Sequence, residues 1–215
     1  MTADLFACFP QARASREEMA DGAVLLRGFV GADEAELVAA LRGIVAAAPF
    51  RRMFTPGGHQ MSVAMTNCGN AGWVTDRTGY RYSPDDPETG KPWPAMPPLF
   101  RELADRAAEH AGFAGFAPDV CLINRYEPGA RMSLHQDKDE LDFGAPIVSV
   151  SLGLPAIFMF GGLKRSDKPP VSSRARRHRG VGWAVAAVLS RRRATGGRLS
   201  PGHGTAASQS DVPQN

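Results

Sequence analysis

Residues 121–160, CLINRYEPGARMSLHQDKDELDFGAPIVSVSLGLPAIFMF, decide the fold. Asp119 to Arg125 is an apolar strand ending at Tyr126, and Pro128-Gly129 turns the chain back. Ile147-Val148-Ser149-Val150-Ser151-Leu152-Gly153 alternates apolar with small polar residues, and Ala156-Ile157-Phe158-Met159-Phe160 follows Pro155 and stops at Gly161-Gly162. Short runs of this kind, punctuated by Gly and Pro with no helix between them, predict an antiparallel double sheet of jelly-roll type. Between the two halves lies SLHQDKDE, Ser133 to Glu140. His135 and Asp137 are two residues apart, so on a strand or at its end their side chains project to one face. An imidazole and a carboxylate so placed are two of the three ligands of a facial triad, which leaves open positions on a non-haem iron. Alone, a His-x-Asp pair is weak evidence, since it is more often a solvated loop pair.

Outward toward the N-terminus, residues 1–20 read as a lightly ordered arm and residues 23–30, AVLLRGFV, as a short strand. A helix is expected from Ala32 to Ala47, where Leu37, Val38, Leu41, Ile44 and Val45 recur at three and four. Thr55-Pro56-Gly57-Gly58 is a turn signal that feeds an alternating strand from Met61 to Thr66. Asn67 to Pro98 is rich in Pro and Gly yet carries Trp73, Tyr80, Tyr82 and Trp93. These rings either anchor an irregular lid to the core or form a stacking pocket for a base taken out of its strand. A second amphipathic helix is expected from Pro98 to Ala111.

At 215 residues and 43% hydrophobic content the chain suits one sizeable core. The net charge of +3 is unevenly spread: eight arginines and no carboxylate lie between Arg174 and Arg198. Such a patch attracts phosphate backbones or is simply a solvated tail. Three unpatterned cysteines, Cys8, Cys68 and Cys121, suit a reducing cytosol. With no signal peptide and no apolar run of spanning length, the expected location is cytoplasmic, away from membranes.

The series TPGGHQMSVAMTNCG, GW, GYRYSP, KPWPAMP, CLINRYEPGARMSLHQDKDE and APIVSVSLGLPAIFMFGGLKR, in that order, resembles the AlkB family of Fe(II)/2-oxoglutarate-dependent nucleic-acid dealkylating dioxygenases. The resemblance covers roughly residues 20–168. It implies an all-β core with flanking helices, a double-stranded β-helix (jelly roll) with N-terminal helices and a nucleotide-recognition lid over residues 50–98. His135 and Asp137 would be iron ligands. Asn124, Arg125, Tyr126, Met132 and Ser149 would serve 2-oxoglutarate, an amide and a phenol being able to donate to carboxylate oxygens. Trp73 and Tyr80 would contact the base, with Arg81, Tyr82, Thr55 and Met65 beside them. Asp139 would read an exocyclic amine, and Arg165 would lie near the substrate phosphate or base. Trp93, within Pro-Trp-Pro, is expected to be structural.

The implied reaction is oxidative removal of N-linked methyl groups from damaged bases, with Fe(II), 2-oxoglutarate and O2, releasing formaldehyde and succinate. Single-stranded DNA is the expected partner, with RNA or a duplex carrying a flipped base as further substrates, and the chain is expected to be a monomer. Two other classes stay open: a nucleic-acid-binding pseudoenzyme, and an oxygenase acting on protein or a small molecule.

After Lys168-Pro169-Pro170 the composition changes, and residues 169–215 read as an out-of-register tail replacing the last core strands. The domain proper is then residues 21–168. Neither His178 nor His203 sits in a family-like context, so a third iron ligand is missing as the sequence stands. Moved one base downstream, the codons from Arg174 can spell E-H-G-D-I-V-V-W-G-G, and those from Ala184 R-S-R-L-F-Y-H-G-V-A-P. That histidine is spelled across Ser190 and Arg191. In the same register Leu199 onward can give Y-H-P-A-T-G-P-R-R, and Gln209 onward N-L-T-F-R-K. These match the family's closing motifs in order, which implies a frameshift near residues 168–174. The sequence as it stands is expected to be unstable or inactive, having lost strands, a ligand and the arginines that would pair the cosubstrate carboxylates.

Overall fold

The computed structural model describes residues 14–20, 22–132, 135, 142 and 144–153, together with the backbone of Ile157–Phe160, Val171–Arg174 and Val185–Ser190. Asp137, Asp139 and Arg165 lie outside the described residues.

Strand β1 (Ser15–Ala20) pairs antiparallel with β2 (Ala23–Arg27). The last six residues of the region expected to be an arm are therefore sheet. Its sequence, SREEMA, hides the strand because four successive residues are exposed and Met19 alone is buried, as suits a charged edge. A 3-10 turn (Gly31–Asp33) leads into α1 (Glu34–Ala47), which buries Leu37, Leu41 and Ile44 as the spacing predicts. β3 (Ala64–Gly69), β4 (Gly72–Asp76) and β5 (Gly79–Ser83) follow, then α2 (Pro98–His110), which starts with proline at its first turn, where the missing N–H costs nothing. β3 begins three residues later than the alternation from Met61 suggests. β6 (Val120–Arg125), β7 (Pro146–Ser151), β8 (Ile157–Phe160), β9 (Val171–Arg174) and β10 (Val185–Ser190) complete the set.

One sheet has the order β1-β2-β10-β7, while β3 pairs with β6, β4 with β5 and β8 with β9, all antiparallel. The tail thus supplies backbone to the sheet after all. β10 lies between β2 and β7, with Val188 opposite both Val24 and Val148. The run VAAVLS is short, apolar and free of Gly and Pro, and backbone pairing asks no more than that of a strand.

The helices cover one side of the strands. Leu41 and Ile44 of α1 pack with Cys68 of β3 and Ile123 of β6, and Cys121 joins them. Ala107 of α2 packs on Val24 and Leu26 of β2 with Val148 of β7, and Leu103 packs with Leu37, Leu152 and Val150. Cys68 and Cys121 are register partners, and neither is in a disulfide. Contact with Cys121, then burial, pushes the Cys68 thiol far up from its ordinary value, so it stays protonated.

Candidate active site

Side chains alternate along a strand. On β6, Cys121 and Ile123 face α1, whereas Leu122 and, just beyond the strand, Tyr126 pack on the other side, against a cluster of Met53, Val63, Met65, Val74, Trp93 and Ala130. Asn124 therefore points away from the helices. So does Ser149 on β7, because its neighbours Val148 and Val150 are the ones that meet α2 and its surroundings. Asn124 is 1% and Ser149 3% exposed, yet among the described residues Asn124 Oδ1 and Ser149 Oγ have no hydrogen-bond partner. Leaving such a group buried and unpaired costs about 1–3 kcal/mol. The Ser149 hydroxyl can donate to a carboxylate or keto oxygen, the groups of which 2-oxoglutarate is made, while Asn124 Oδ1 accepts and leaves its Nδ2 as the amide's donor to such a ligand.

The lid is a hairpin fastened to the core. Asn67, fully buried on β3, donates from Nδ2 to Trp73 O at 3.1 Å and accepts from Trp73 N–H at 3.0 Å, so its amide stands in for a neighbouring peptide. Trp93 donates from its indole to Ser83 O at 3.1 Å. The Trp93 ring also lies so close to Gly72 that a Cβ there would meet it at 2.4 Å. Arg51 stacks over Trp93 with its guanidinium 5.2 Å from the ring centroid and pairs at 2.6 Å with Asp86, whose side chain is 5% exposed. Burial pushes the Asp86 carboxyl up, but its bonds to Arg51, the Glu88 N–H and Thr89 outweigh this and hold it below the usual value.

Across the hairpin Trp73 faces Tyr82 and Thr75 faces Tyr80, so Trp73 and Tyr80 are diagonal neighbours on one surface. Their rings stack at 5.6 Å between centroids with 23° between planes. Tyr80 remains 49% and Tyr82 37% exposed. Arg81 is turned to the hairpin end: it donates to Asp76 Oδ2 at 2.7 Å and to Thr78 Oγ1 at 2.9 Å. The Asp76 carboxyl is held well below the ordinary range, first by Arg81 and then by Thr78.

The structure brings together only some of the residues singled out in the sequence. Asn124, Tyr126, Ser149 and Met132 lie on or pack beside the interior face, and Trp73, Tyr80 and Tyr82 form the outer one. Arg125 is not with them. It is on the α1 side of β6, stacked 4.8 Å over Phe50 and paired with Glu127 at 3.1 Å. Met65 has no exposed surface and forms part of the floor under the lid rather than its lining. Thr55 closes a turn, its Oγ1 accepting from His59 N–H at 3.2 Å. His135 is exposed and lies in no strand. Sequence reasoning missed Asn67 and the Arg51–Asp86 pair, whose polar residues look like loop surface until the tertiary partner is known.

A strand-built core flanked by helices, an interior face with unmet polar groups and an aromatic hairpin above it are the parts of an oxygenase that binds a dicarboxylate cosubstrate. The model of the 2OG-Fe(II) oxygenase superfamily matches residues 22–177. The chain is 60% identical over 164 residues to the alpha-ketoglutarate-dependent dioxygenase AlkB of Escherichia coli (strain K12), spanning 76% of this chain and 74% of that one. It is 59% identical over 152 residues to the AlkB of Salmonella typhimurium, spanning 71% and 70%. The chain therefore belongs to the AlkB family of Fe(II)/2-oxoglutarate-dependent dioxygenases. The solved structure of OsALKBH1 has the same fold, with a TM-score of 0.63 at 22% identity, covering 86% of this chain and 97% of that one. Among the described residues no helix is long and apolar enough to cross a membrane.

Proposed function

We propose that this enzyme removes N-linked alkyl groups from bases of single-stranded nucleic acid, DNA foremost, acting as a monomer. The observation that carries this reading is the Trp73–Tyr80 stack, a half-exposed aromatic surface on a hairpin whose own polar groups are already satisfied. An unpaired base supplies a flat face for such rings, and stacking of this kind is worth about 1–3 kcal/mol per base. Relatives support a nucleic-acid substrate: the nucleic acid dioxygenase ALKBH1 of Mus musculus and the tRNA demethylase abh1 of Schizosaccharomyces pombe. A chain that binds without turnover is not favoured by these resemblances.

Asn124, Tyr126 and Ser149 would hold 2-oxoglutarate, with Met132 packed beside them. His135 and Asp137 would ligate iron. Asp139 and Arg165 would complete the base and phosphate contacts. The third ligand and the cosubstrate arginines would come from the shifted frame, where the histidine spelled across Ser190 and Arg191 falls at the end of β10, the register position opposite Pro146 at the start of β7. When bound, the iron with 2-oxoglutarate and dioxygen supplies the oxidising chemistry. The protein holds the base by its face, fixes the cosubstrate carboxylates and keeps water from the reacting carbon.

The test uses a single-stranded oligonucleotide carrying one N-methylated base, with the chain as it stands and the frame-restored chain side by side. Formaldehyde and succinate in equal amounts, dependent on Fe(II) and far faster from the restored chain, are expected. Succinate formation indifferent to the oligonucleotide would overturn the reading, and methyl removal at the same rate by both chains would overturn the shifted-frame origin of the third ligand.

A further inference from the structure

We infer that Phe54 is a second stacking residue, which receives the base next to the one held by Trp73 and Tyr80. The inference rests on the nucleic-acid reading above and adds a residue to it. Among the described residues the large apolar side chains left exposed are Phe54, Tyr80 and Tyr82, and Phe54 is as open as Tyr80, at 49%. An exposed aromatic ring usually has a partner to explain it when it lies beside others of its kind.

Its position is held from three directions. Residues 51–55 alternate, so Met53 goes into the floor of the lid while Phe54 faces out. A bridge from Phe54 to Gln60, the Thr55 N–H donating to His59 O at 2.9 Å and the Gly58 N–H donating to Thr55 O at 2.8 Å make residues 54–60 a closed turn. Gly58, at φ +79°, provides the left-handed residue this turn needs. Finally, the Thr75 hydroxyl donates to Phe54 O at 3.2 Å, and Thr75 is the register partner of Tyr80. Thr75 thus ties the Phe54 backbone on one hand and pairs with Tyr80 on the other, which places both exposed rings at the same stretch of the lid. Two rings so placed can take successive bases of an unstacked strand, one the target and the other its neighbour. Among the described residues the ring joins no core cluster: its backbone, not its side chain, makes the ties.

The experiment is equilibrium binding of the full chain to a single-stranded oligonucleotide with 2-aminopurine beside an N-methylated base. The affinity and the fluorescence quench of the probe are read for Phe54→Leu and Phe54→Trp beside the unaltered chain. Leucine keeps apolar bulk but cannot stack. Expected are binding about five- to tenfold weaker and a lost quench for Phe54→Leu, both restored by Phe54→Trp, with the quench by a Trp73-directed probe at the target base unchanged. Binding and quench equal in all three chains would overturn the role of Phe54 while leaving the function intact. Absence of binding by the unaltered and the frame-restored chain alike, each shown to be folded by circular dichroism, would overturn both.

Discussion

In the lid, the buried amide of Asn67 gives both its ends to the Trp73 peptide and the buried carboxylate of Asp86 is met by Arg51. On the interior face of β6 and β7, Asn124 Oδ1 and Ser149 Oγ have no partner among the described residues. The same protein satisfies one set of buried polar groups fully and leaves the other open. The lid is finished before substrate arrives, so its rings can meet a base without rearrangement. On the function proposed above, the interior would be completed only when the cosubstrate binds, so that binding energy goes to the reacting complex rather than to the empty protein.

The largest effect is expected where the open set is turned hostile. Asn124→Asp would set a carboxylate against the cosubstrate's own, a like-charge contact of several kcal/mol, and lower turnover about a hundredfold at unchanged oligonucleotide affinity. Turnover within a few-fold of the parent would break the assignment of Asn124. Next, Arg51→Met leaves Asp86 buried without its cation and should cost about 3 kcal/mol in chemical denaturation. The pair also sets a pH dependence. Because the folded Asp86 value is depressed, its contribution is complete above the ordinary aspartate value of about 3.9 and is lost as pH falls through the lower folded one. The parent should therefore lose stability in acid that the Arg51→Met chain, already lacking the pair, does not.

Asn67→Ala removes two bonds from the Trp73 peptide and should cost about 2 kcal/mol, with the Trp73–Tyr80 stack loosened and tryptophan emission shifted to the red. An unshifted emission would mean that the hairpin is held by Trp93 and Thr75 instead. Smallest of all, Arg81→Ala frees an exposed pair at the hairpin end, and the melting temperature should not move measurably. A clear drop would show that the Asp76–Arg81 contact organises the lid after all.

How much of this was legible depends on whether the signal was local. Leu37, Leu41 and Ile44 at helical spacing, and the alternation of residues 147–151, report their own burial, and α1 and β7 follow them. The motif order was enough to recognise the family and to single out Asn124, Tyr126, Ser149, Trp73 and Tyr80. It did not show that Arg125 faces α1, because one step along a strand reverses a side chain and the register of β6 against β3 is a tertiary fact. Nor did it show β1, whose charged edge carries no hydrophobic period, or the β4–β5 hairpin, whose strands are held by Asn67 and Trp93 from outside their own sequence. β10 is the opposite case: its backbone pairs with β2 and β7, where the sequence read out of register gave no reason to expect a strand.

The most direct test of the central claim is thermal unfolding, with oxygen excluded and Mn(II) in place of iron, as 2-oxoglutarate is raised. A ligand that completes the interior stabilises the folded state by mass action, about 2.7 kcal/mol at one hundred times its Kd. The midpoint should therefore climb with the logarithm of 2-oxoglutarate concentration in the frame-restored chain, climb less in the chain as it stands, and stay flat in Asn124→Asp. A midpoint that ignores 2-oxoglutarate in the restored chain, or climbs equally in Asn124→Asp, would contradict the account.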